Sequence, residues 1–95
     1  MSSLWMSLAA QVPCVVCEQM GIPDSPSQVH HMRFNDLGKR KSDYLTIALC
    51  PEHHVGNYSI HNDRERFERQ FGSEIELMDA TIAGVEKILR NKGVR

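Results

Sequence analysis

Disulfides, a membrane span, internal repeats and a charge excess are all missing from this chain, and each absence narrows its function. Cysteine occurs only three times in 95 residues, as Cys14, Cys17 and Cys50. An odd count is a poor basis for a disulfide framework, whereas a metal site that borrows one histidine uses all three without leaving a stray thiol. The start of the chain, MSSLWMSLAA, has no basic residues and its apolar stretch is too short to cross a bilayer. A reduced, cytosolic setting without membrane attachment is therefore expected. The formal net charge is −1, which removes any global electrostatic case for nucleic acid and leaves only local ones. No segment is of low complexity. Histidine is missing from both ends: all five, His30, His31, His53, His54 and His61, lie between residues 30 and 61.

What is present is organised around two matched pairs. Cys14-Val15-Val16-Cys17 and Cys50-Pro51-Glu52-His53 have the same spacing and bracket the His30-His31 doublet. Two intervening residues let a tight turn aim both side chains at one ion, and two such turns supply the four ligands of a tetrahedral zinc. Spacing does not decide between His53 and His54 as the fourth ligand, and His53 is taken because it repeats the two-residue gap. A structural zinc closed by four protein ligands leaves His30, His31, His54 and His61 in surplus. Clustered in one small region, they point to a second metal with an open position for water or substrate.

Ninety-five residues make one domain, 1–95. A chain this short buries a modest core and often leans on a metal. Residues 1–12 read as a short helix or lead-in strand with Trp5 packed inward, and Pro13 favours a tight turn before the first cysteine pair. Gly21, Pro23 and Pro26 exclude a helix over 21–27. Residues 27–34 and 44–49 read as two antiparallel strands around a polar loop, 35–42, which carries the basic run Lys39-Arg40-Lys41. Pro51 offers a helix start that Gly56 and Asn57 interrupt. Asn62 or Asp63 caps a further helix with Phe67 and Phe71 on one side, stopping at Gly72. Its alternating Arg64, Arg66, Arg69 and Asp63, Glu65, Glu68 read as a solvated face with charge pairs. Ser73 and Glu76 form a capping-box pattern for a last helix, about 74–90, whose apolar face is expected to be Ile75, Met78, Ile82, Val85 and Leu89.

A histidine doublet on a strand, a hairpin, and a helix that begins with histidines resemble the ββα-metal core of HNH endonucleases. Zinc-braced members place one cysteine pair before the doublet and another at the helix start, as Cys14/Cys17 and Cys50/His53 stand here. The stretches VHHMRF, GKRKSDYLTIALCPEHH and SIHNDRERFERQFG are similar, more narrowly, to the phage recombination-enhancement (Ref-like) nucleases. The likeness covers about residues 13–72. Thr46 stands where the family's central Asn would be. The resemblance implies an α+β fold, a small zinc-braced ββα-metal core with an additional C-terminal helix. It also implies DNA phosphodiester hydrolysis, with a structural Zn2+ and a catalytic Mg2+, Mn2+ or Zn2+. His30 would bind that metal, His31 would be the general base, His54 a ligand, and His61 a third ligand or phosphate contact. Lys39, Arg40 and Lys41 would hold the DNA backbone. A recombinase filament or a homodimer would be the partner, in the host cytoplasm for a phage protein. The alternative is a non-catalytic zinc module that binds nucleic acid or a protein.

Two geometric demands follow. His54 and His61 are seven residues apart, about 10 Å along an unbroken helix, so the chain must break at Gly56-Asn57 and fold His61 back. Neighbours on a strand point to opposite faces, so His30 and His31 serve one centre only if it straddles the strand's edge or the strand is distorted.

Overall fold

Thr46-Ile47-Ala48-Leu49 is rich in β-formers and wholly buried, and the rest of the molecule is built around it. A computed structural model describes residues 4–32, 45–57 and 59–92. These form, in order, α1 (Leu4–Ala9), α2 (Val15–Gln19), β1 (Gln28–His31), β2 (Thr46–Leu49), α3 (Pro51–Val55), α4 (Arg64–Phe71) and α5 (Glu74–Asn91). Among the described residues the fold is a small α+β arrangement with one two-stranded antiparallel sheet. Its register pairs Gln28 with Leu49, Val29 with Ala48, His30 with Ile47 and His31 with Thr46. The Met32 N–H bonds the Leu45 carbonyl at 2.8 Å and carries the pairing one step further. The basic run Lys39-Arg40-Lys41 lies outside the described residues.

The outer edge of β2 is closed by a side chain. The Ala48 N–H donates to the Thr81 hydroxyl at 3.1 Å, and that hydroxyl donates to the Leu77 carbonyl at 3.0 Å. Thr81 thereby satisfies a strand donor that, among the described residues, no third strand takes, and an unpaired buried N–H is costly. On α1, the Trp5 indole N–H donates to the Thr46 hydroxyl at 3.1 Å, so Trp5 packs inward as expected.

α5 begins at the expected capping box, with the Glu76 N–H on the Ser73 hydroxyl and the Ser73 N–H on the Glu76 carboxylate. Its buried line differs from the expected one. Glu74, Leu77, Thr81 and Val85 face inward, Met78 and Leu89 flank them, and Ile75 is 56% exposed. The helix is rotated because Thr81 must reach the edge of β2 and Glu74 must reach β1, and these two polar contacts outweigh the burial of one isoleucine. Gly72 joins α4 to α5 at φ 106°, a left-handed conformation that suits glycine. Among the described residues, no helix is long and apolar enough to cross a membrane.

Candidate metal centres

Cys14 caps the N-terminus of α2, its Sγ accepting the Cys17 N–H at 3.4 Å. The first pair therefore sits on a helical turn, where the sequence suggested a bare turn. The second pair sits at the end of β2 and in α3, where Pro51 occupies the first helical turn as expected. These two turns meet. Cys17 Sγ and Cys50 Sγ are 3.7 Å apart. His53 Nδ1 lies 3.7, 3.6 and 3.3 Å from the sulfurs of Cys14, Cys17 and Cys50. A tetrahedral zinc with Zn–S about 2.3 Å and Zn–N about 2.0–2.1 Å needs S···S edges of about 3.8 Å and S···N edges of about 3.5 Å. The Cys17–Cys50 edge and the three S···N edges stand close to those separations, and all four donor atoms lie within 4.8 Å of one another. All four residues are buried and the thiols are not paired as disulfides. Their chemistry and spacing fit a structural metal such as zinc, and His53, not His54, completes the set.

The thiols are unequal. Burial pushes Cys14 from 9.0 up to about 11, against hydrogen bonds from the Cys17 and Cys50 backbone that pull it down. Burial also raises Cys50, but hydrogen bonds from the His53 backbone and the neighbouring thiols outweigh it and hold Cys50 below 9.0. Of Cys14 and Cys50, Cys50 is thus the readier thiolate, and a divalent ion would have to displace the Cys14 proton to bind. His53 is held below 6.5 by burial, with the Glu52 charge acting the other way, so it is neutral and able to ligate near pH 7.

His54, next in the chain, belongs to a second cluster. Ligand atoms of His30, His54 and His61 all lie within 4.8 Å of one another. The ring centroids are 5.2 Å apart for His30 and His54, 5.0 Å for His30 and His61, and 4.8 Å for His54 and His61. The rings meet edge-on or tilted, with none stacked flat, an arrangement in which their nitrogens can converge on one ion. His30 comes from the buried side of β1 and is 2% exposed, His54 is half-buried on α3, and His61 is exposed.

The chain meets the first geometric demand by ending α3 at Val55. The Ile60 N–H then bonds the His53 carbonyl at 3.0 Å, and Asn62 ties back to Ser59 and Asn57 at 3.0 and 2.8 Å. Gly56 permits the turn, since a Cβ there would meet the Glu52 carbonyl at 2.7 Å. The second demand remains in force. His31 lies across the sheet from Thr46, is half-buried, and is not part of the histidine cluster.

Two residues of this neighbourhood carry no sequence signal. Glu74 is 7% exposed, and its Oε2 lies 3.1 Å from His30 Nε2 while Oε1 pairs with Arg64. Burial raises the Glu74 carboxyl, but the His30 and Arg64 contacts prevail and hold it below 4.5. Gln28 Oε1 lies 2.9 Å from His54 Nδ1. Arg64 stays exposed on α4 as expected and finds its charge partner in Glu74 of α5, whereas Arg69 and Glu65 pair within the helix at i, i+4, 2.9 Å apart. His54 is held below 6.5 by burial first, then by the charges of His30 and His61.

Residues 1–86 match the model of a family described as "Protein of unknown function (DUF968)". The chain belongs to this family. The match takes in both clusters and most of α5, so the ligand pairs and Glu74 lie within the DUF968 region. No curated protein and no solved structure matches the chain.

Proposed function

We propose that this protein is a metal-dependent HNH-type endonuclease that hydrolyses DNA phosphodiester bonds in phage recombination. The observation that carries the reading is the convergence of His30, His54 and His61 on a strand–strand–helix unit, beside a separate Cys3His cluster. The order β1, β2, α3, with the doublet on β1 and His54 in the helix, supports the HNH-like ββα-metal assignment. The basic Lys39-Arg40-Lys41 run between the strands supports a backbone contact that tolerates many sequences.

A divalent cation at the three histidines would neutralise charge developing on the phosphate and its leaving oxygen. An all-imidazole set suits Zn2+ better than Mg2+. His31 takes a proton from water, the water oxygen attacks phosphorus, and the phosphorus–sugar oxygen bond breaks, with solvent protonating the departing alkoxide. Among the described residues β1 pairs only with β2, and its other edge is the route by which His31 would meet a substrate held on the His30 side. A recombinase filament on the DNA, or a second copy of the chain, would add the recognition surface that 95 residues lack.

Plasmid and single-stranded DNA, naked and filament-coated, incubated with Zn2+, Mn2+ or Mg2+ test the reading. Wild type is expected to cut, and His31→Ala to be slower by about 10²–10⁴-fold, the usual loss of a general base. Cutting by His31→Ala at the wild-type rate removes His31 as the base. A second reading, a non-catalytic zinc module, is favoured by the Cys3His donors already standing at zinc-ligand separations. It wins if wild type cuts none of these substrates with any of the three metals.

A further inference from the structure

Glu74 is buried for a reason that helix formation does not supply. It is the first residue of α5, but the start of that helix is already capped by Ser73 and Glu76. Its neighbour Ile75 is 56% exposed, so the helix turns a carboxylate inward and an isoleucine outward. Burying a carboxylate costs free energy that close partners must offset. The partners are specific: His30 Nε2 at 3.1 Å on one oxygen, and Arg64, the first residue of α4, on the other. Three elements, β1, α4 and α5, are thus joined at one carboxylate beside the histidine cluster. Glu74 is not one of the converging ligands.

A carboxylate only accepts hydrogen bonds, so the His30 nitrogen facing it carries the proton. We propose that Glu74 is the positioning residue of the histidine cluster: it occupies Nε2 of His30 and leaves Nδ1 as the atom that ligates a metal. Gln28 acts in the same sense on His54, its Oε1 taking Nδ1 and leaving Nε2. An oxygen acceptor behind a ligating imidazole fixes the ring and raises its basicity, and losing that acceptor commonly costs 10–100-fold in metal affinity. Arg64 keeps Glu74 ionised and turned toward His30. This proposal rests on the reading that His30, His54 and His61 bind a metal, and it does not require that DNA is cut.

The test uses the full-length protein titrated with Zn2+ against a chelating dye, together with long-range 15N–1H correlation spectra of the histidine rings. In wild type, His30 should bind the second zinc equivalent through Nδ1 with Nε2 protonated. Glu74→Ala should bind that equivalent about 10–100-fold more weakly, with the first equivalent unchanged. Glu74→Gln, which preserves the volume, should fall between the two. Coordination of His30 through Nε2, or wild-type affinity for the second zinc in Glu74→Ala, overturns the role of Glu74 while the metal site stands. A wild-type protein that takes one zinc and no more overturns the metal reading of the cluster and this proposal with it. The ring spectra of wild type decide the matter even where a variant does not fold.

Discussion

His53 and His54 are neighbours in the chain and face different clusters. Consecutive residues on a helix are about 100° apart, so one short helix can place one side chain on each of two ions. The two cysteine pairs were legible because their spacing is itself the geometry of a turn. The choice between His53 and His54 was not, since either follows Cys50 closely enough and only the direction of α3 decides it. Glu74 was invisible for a plainer reason: an acidic residue in the first turn of a helix is ordinary, and its partner His30 is 44 positions away. Glu76, by contrast, was readable as a capping residue, and its role has a pH signature. The Ser73 backbone N–H and hydroxyl hold its carboxyl below 4.5 in the folded chain. A depressed carboxyl stabilises the fold above its unfolded value, and that contribution disappears as pH falls through the folded value. Glu76→Gln should therefore melt below wild type at pH 7, and the gap should narrow as the pH is taken down through 4.5. A gap that stays constant down to pH 3 would show that the charge of Glu76 is irrelevant to the cap.

At the scale of elements, strand order and the Pro51 helix start followed from β-formers, glycine and proline. Among the described residues the two β-forming runs hold strands at Gln28–His31 and Thr46–Leu49. On α5 the expected Val85, Met78 and Leu89 do face the core, but Glu74 and Thr81 escaped a periodicity that counts only apolar residues, and in the expected line Ile75 took the place that belongs to Leu77. Here a threonine at the sheet edge and a glutamate at β1 set the rotation, and Ile75 was left outside. The turn after α3 is the element on which the second cluster depends. Gly56→Ala would drive a Cβ into the Glu52 carbonyl, and the shift should cost about 1–3 kcal/mol, as overpacking does. Because the same turn returns His61 to His54, this variant should retain the Cys3His zinc and lose affinity for the second ion. Calorimetric titration with Zn2+ measures both in one experiment. Equal loss at both sites would mean that the turn supports the whole fold and not the histidine cluster in particular.

Across the whole molecule, the Cys3His cluster and the core are one structure. Cys14, Cys17 and Cys50 belong to the buried apolar set, packed with Val16, Ile47, Leu49, Phe67, Leu77 and Val85. A small domain has few such side chains, each contributing roughly 1.5–3 kcal/mol when fully buried, against a large loss of chain entropy. A Cys3His ion at the meeting of α2, β2 and α3 would fix three elements at once. α3 would transmit that rigidity to His54, and β1 to His30. The first cluster would thereby act as the brace of the second, and on the proposed reading two ions would sit at neighbouring residues of one helix. The most direct measurement is the metal stoichiometry of the zinc-loaded protein by native mass spectrometry, for wild type and His54→Ala. Two zinc ions per wild-type chain, falling to one in His54→Ala, are predicted. One ion in wild type, or two that persist in His54→Ala, would contradict the account.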